Sequence, residues 1–132
     1  MKTIKTLSFL ILSLIAMLNV SVTRADDPPP SQVDLRIQRV IERGNTAQIF
    51  VENKGHQKSK RCFLDVFMIG PRGERIRLGR VVVGEIAPCC NLVVTITAKG
   101  IGDKETATEY VVDSTNAVAE FDETNNSHTV PK

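Results

Sequence analysis

Residues 111–127 read V-V-D-S-T-N-A-V-A-E-F-D-E-T-N-N-S, and this stretch constrains the fold most. A β-branched run closes at Asp113 and a turn-prone Ser-Thr-Asn follows. The apolar pair Ala117 and Val118 then leads through Glu120, Asp122 and Glu123 to a turn at Asn125 and Asn126. A strand, a structured acidic loop and a return strand describe a β-hairpin at one end of a sandwich. Short polar side chains at Asn116, Glu120, Asn125 and Asn126 are suited to bonding the backbone of a long loop that must be rigid.

The rest of the chain alternates with a period of two, not 3.6. Val33, Leu35 and Ile37 share one face of a first strand, and Ala47, Ile49 and Val51 one face of a second. Leu64, Val66 and Met68 share a face of a third, Ile76 and Leu78 of a fourth, Leu92, Val94 and Ile96 of a fifth, and Tyr110 and Val112 of a sixth. Turn formers separate them at Gly44 and Asn45, at 70–73, and at Asn125 and Asn126. The expected strands are 33–43, 46–53, 61–70, 75–83, 92–98, 106–112 and 127–130. Seven short strands at this spacing predict an all-β, immunoglobulin-like antiparallel β-sandwich. With each strand antiparallel to the one before, loops 54–60, 84–91 and 113–126 share one end.

That end is bipolar in sequence. Residues 54–80 hold eight basic and two acidic side chains, whereas residues 103–126 hold one basic and seven acidic. Lys58, Lys60 and Arg61 on one loop, and Asp113, Asn116, Glu120, Asp122 and Glu123 on the other, are the candidate binding residues. Complementary charge of this kind steers association more than it stabilises a fold.

The N-terminus has the layout of a secretory signal peptide: Lys2 and Lys5, an apolar run at 7–20, and a short polar stretch ending on Ala25. The run is shorter than the roughly 20 residues that a membrane span needs. The expected organisation is a signal peptide at 1–25, an extended Pro-rich leader at 26–32 and one domain at 33–132, exported to the periplasm or beyond the cell, with no membrane span after cleavage. Residues 26–132 carry fourteen basic and fifteen acidic side chains, so no basic excess points to nucleic acid.

Export favours disulfides. Cys62 is in phase with Leu64 and Val66, and Cys90 with Leu92 and Val94, which makes Cys62–Cys90 the preferred bridge and Cys62–Cys89 the second. Three cysteines leave one thiol over, free or linking two chains. Lys60 and Arg61 beside Cys62 are the one feature that suggests an activated thiolate. A soft-metal site from the cysteines with His56 or His128 lacks known zinc spacing. Asp113, Asn116, Glu120, Asp122 and Glu123 are hard ligands of the kind calcium takes, without EF-hand spacing. The expectation is no metal and no cofactor. No nucleophile elbow, phosphate loop or His-Glu-x-x-His is present, and the expectation is no enzyme.

Residues 111–126 resemble the terminal signature of the cell-adhesion-related domain found in bacteria (CARDB). Val33-Asp34-Leu35-Arg36-Ile37 and Val51-Glu52-Asn53-Lys54-Gly55 also fit its V-D-L-x-I and x-N-x-G patterns. The cysteines and the basic 54–60 loop are departures from it. The resemblance implies an immunoglobulin-like domain used for adhesion or protein interaction, with an unidentified protein or cell-surface component as partner. The alternative is a structural or accessory subunit, a disulfide-linked homodimer; a metal or thiol-redox protein built on Cys62, Cys89 and Cys90 ranks below both.

Overall fold

The computed structural model describes residues 32–132. The expected signal peptide and leader residues 26–31 lie outside the described residues. Seven strands form: β1 (Leu35–Arg43), β2 (Thr46–Asn53), β3 (Cys62–Ile69), β4 (Arg75–Val83), β5 (Cys90–Thr97), β6 (Thr108–Val112) and β7 (Ser127–Val130). They build a three-stranded sheet, β1-β2-β5, and a four-stranded sheet, β4-β3-β6-β7. Every paired neighbour is antiparallel. No helix of the described residues is long and apolar enough to cross a membrane.

The alternation predicts the core because each inward face is covered by the other sheet. Leu35, Ile49, Val51, Leu64, Val66, Tyr110 and Val112 are fully buried. Tyr110 carries a hydroxyl into this interior, and it donates to Glu42 Oε1 on β1 at 2.7 Å. Lys132 Nζ donates to Glu42 Oε2 at 2.5 Å. Burial and the neighbouring carboxylate hold the Tyr110 phenol well above its ordinary range.

The pattern fails where a strand leaves its cover. Ile76, expected inside, is 47% exposed, and Leu78 is half-buried. β4 is a sheet edge, and its pairing with β3 shifts register between Val66 and Phe67; such a bulge re-aims the side chains that follow it. A second shift, between Ile37 and Arg39, leaves Gln38 unpaired and ends the alternation of β1.

Candidate functional site

Loops 54–61, 84–89 and 113–126 lie at one end, and the first and last of them are built onto a common lead-in segment, 32–35. On one side of that segment, Lys54 N donates to Asp34 O at 2.8 Å and His56 N to Gln32 O at 2.7 Å. On the other, Phe121 N donates to Val33 O at 2.8 Å, Leu35 N to Glu120 Oε2 at 2.6 Å, and Asn125 Nδ2 to Asp34 Oδ1 at 2.7 Å. The basic and acidic loops are thus separated, and jointly fixed, by the start of β1.

Asn53 is the hub of the first side. It is fully buried at the end of β2. Its Oδ1 accepts from Gly55 N at 3.0 Å and Asp34 N at 3.3 Å, and its Nδ2 donates to Gln57 O at 2.7 Å and Ile86 O at 3.1 Å. One amide therefore satisfies groups from three segments that have no ladder of their own. Buried Ser59 adds two bonds to the 84–89 loop: its N donates to Ile86 O at 2.9 Å, and its Oγ accepts from Ile86 N at 3.0 Å. Gly55 is there because a Cβ would stand 1.9 Å from Gln32 O.

Asp113 plays the same part in the acidic loop. It is buried with φ 50, a left-handed conformation that Asp tolerates. Its two carboxylate oxygens accept from Ala117 N at 2.9 Å and Val118 N at 3.0 Å. Glu120 Oε1 accepts from Asn126 Nδ2 at 2.9 Å, and Glu123 Oε1 from Glu120 N at 3.0 Å. Of the candidate binding residues, Asp113 and Glu120 are thus turned inward and hold the loop. Asn116 is exposed at φ 52, with its N bonded to Asp113 O. Asp122 accepts from Thr124 N and Oγ1, bonds that hold its carboxyl below the ordinary range. Lys58 pairs with Glu85 at 2.9 Å across the basic and 84–89 loops. Lys60 and Arg61 are exposed and enter no ion pair among the described residues.

Three of the five calcium candidates converge: carboxylate oxygens of Asp113, Glu120 and Glu123 lie within 4.8 Å of one another. Asn116 and Asp122 are outside that group. Burial, with the nearby Glu123 and Asp113 charges adding to it, raises the Glu120 carboxyl to about 7 despite the bonds from Leu35 and Asn126. A carboxyl raised above its ordinary 4.5 favours the fold in its protonated form. That contribution is complete below pH 4.5 and is lost as the pH rises through about 7. Full linkage would be about 3 kcal/mol, which half-exposure reduces to about 1–2 kcal/mol. Glu120→Gln should therefore flatten the fall in melting temperature between pH 5 and pH 8, at a cost in stability that does not vary with pH, because its amide nitrogen must face one of the two donors, Leu35 N or Asn126 Nδ2, that the carboxylate accepts from. Calcium that stabilises the wild type at pH 8 but not Glu120→Gln would instead assign the three carboxylates to a cation.

The cysteines do not pair as expected. All three are free thiols, Cys62 buried and Cys89 and Cys90 exposed. Phase alone places Cys90 inward, but it stands at the end of β5 opposite Asn53, beyond the cover of the other sheet. Cys89 holds φ 55 in the turn before it. The basic neighbours do not activate Cys62; burial, with the Asp113 charge behind it, pushes its thiol up to about 11. Alkylation of the native chain should label Cys89 and Cys90 rapidly and Cys62 only on unfolding. Labelling of Cys62 at the same rate would contradict this burial, and a doubled mass without reductant would show an exposed thiol linking two chains.

Two features escaped the sequence reading. Residues 32–35 were legible as a strand start but not as the piece between two loops. Phe121, at the tip of the acidic loop, is 74% exposed although its own backbone is pinned to Val33. An aromatic amid acids had been a usable signal.

A family model, CARDB, matches residues 32–130. Among solved structures, the CARDB domain of a Pyrococcus furiosus protein, determined in complex with di-metal ions, is similar at 19% identity and TM-score 0.60, covering 77% of this chain and 93% of that one. A domain of a Methanosarcina acetivorans protein described as a cell surface protein is similar at 22% identity and TM-score 0.62, over 76% and 90%. The archaellum periplasmic stator protein FlaG from Sulfolobus acidocaldarius is similar at 12% identity and TM-score 0.52, over 74% and 99%. No curated protein matches.

Proposed function

The chain belongs to the CARDB family, and from that premise we propose that it is an exported, non-enzymatic module that binds a protein of the cell surface through its loop end. The carrying observation is Phe121: an aromatic side chain 74% exposed on a loop whose backbone is bonded on both sides. Exposing an aromatic costs solvation, whereas a pre-ordered aromatic is what the centre of a protein interface uses. Lys60 and Arg61 on the neighbouring basic loop, which enter no ion pair among the described residues, supply steering charge around it. The inward-turned Asp113 and Glu120 serve as the scaffold of this surface, and Asp122 and Glu123 as its acidic rim. The likeness in fold to a domain of a cell surface protein and to an archaellum stator protein supports a role in a surface assembly.

The test is retention of the tagged chain on cells of its own host. Phe121→Ala should reduce retention at least tenfold, equivalent to more than about 1.4 kcal/mol, with its melting temperature unchanged. Lys60→Glu with Arg61→Glu should weaken retention most at low salt. Retention indifferent to all three substitutions would overturn the proposal.

A further inference from the structure

The sandwich has four sheet edges, and three of them are closed to further strands. β1 is covered at its start by the 113–126 loop, through Glu120 on Leu35 N and Val33 O on Phe121 N. β7 is four residues long. β4 carries the bulge, and Arg75, Arg77 and Arg80 stand along it. Short edges, bulges and charges are how sheets avoid edge-to-edge pairing.

β5 has none of these. Cys90-Asn91-Leu92-Val93-Val94-Thr95-Ile96-Thr97 contains no charge and no proline. Its ladder with β2 runs through eight consecutive pairs without a shift. Val93, facing outward, is 50% exposed. The direction of its free backbone groups follows from the ladder. Ala98 N donates to Asn45 O, on the β2 side, and antiparallel donors alternate. Asn91, Val93, Thr95 and Thr97 therefore present their N–H and C=O groups to the open edge, and no hydrogen bond to these groups occurs among the described residues.

We propose that this edge pairs with the β5 edge of a second copy, giving a continuous six-stranded sheet across a two-fold axis at Val94. Antiparallel pairing about Val94 places Val93 opposite Thr95 and Asn91 opposite Thr97, so the outward-pointing groups of one copy meet those of the other. It also places Leu92 opposite Ile96 on the inner face, which continues the apolar layer of both sandwiches. Because the strand is uncharged, self-pairing brings no like charges together along it, and a two-fold interface of this kind closes at a dimer.

Sedimentation equilibrium of the full chain, in reductant to exclude thiol linkage, tests this together with amide exchange. The expected result is a weight-average mass that rises toward twice the monomer with concentration, with the amides of Val93 and Thr95 becoming protected in parallel. Val93→Lys keeps the inner face intact and should weaken the dimer at least tenfold; Thr95→Pro, which removes an edge donor, should do the same. A chain that stays monomeric up to millimolar concentration would overturn the proposal, as would a dimer in which the Val93 and Thr95 amides exchange freely.

Discussion

Asn53→Ala should destabilise the chain by about 3–4 kcal/mol, a large share of the 5–15 kcal/mol typical of a domain. The size follows from what the amide leaves behind. Gly55 N, Gln57 O and Ile86 O lose their Asn53 partner in surroundings where the side chain is fully buried, and each buried unpaired group costs about 1–3 kcal/mol before relaxation or water entry. Asn53→Asp should be at least as damaging, since it replaces two donors with a carboxylate facing the carbonyls of Gln57 and Ile86. Chemical denaturation with the slope held in common measures both. A loss below 1 kcal/mol would show that the hub is not what joins the basic loop, the 84–89 loop and β1.

Gly55→Ala should cost about 2–4 kcal/mol for a different reason. No left-handed backbone is involved; the new methyl would stand 1.9 Å from Gln32 O and 2.8 Å from Val33 Cα. Both are backbone atoms, so no side chain can swing away. Relief requires the 32–33 segment to move, which breaks His56 N to Gln32 O and Lys54 N to Asp34 O on one side and strains Phe121 N to Val33 O on the other. The substitution should therefore also speed amide exchange at Phe121, on a loop 66 residues away in sequence. Gly73→Ala is the contrast: its site is open but at φ 79, so its cost is confined to the 70–73 turn.

Period-two patterning was enough to place the seven strands, because burial between two sheets is a local property of every second residue. It could not place Ile76, whose face is inward by count but uncovered at the β4 edge, nor the break at Gln38, since a bulge has no composition of its own. Cys90 failed for the same reason as Ile76: phase says which way a side chain points, not whether anything lies opposite. The loop end was legible as three loops at one end of the sandwich. Its construction was not, because the bonds from Asn53 to Ile86 and from Glu120 to Leu35 span 33 and 85 residues. The acidic residues illustrate the difference. As a sequence they form one negative loop; in the fold Asp113 caps its own turn, Glu120 holds β1, and Phe121 next to it is what faces outward.

The most direct measurement replaces Phe121 in turn with a photo-crosslinking amino acid, does the same at Ile76, and irradiates the producing cells. Ile76 is the fair control, being 47% exposed at the opposite end of the sandwich. A loop end that binds through Phe121 should give a discrete adduct of the chain with another cell-surface protein from position 121 and none from position 76. Adducts of equal yield from both positions, or none from position 121, would contradict it.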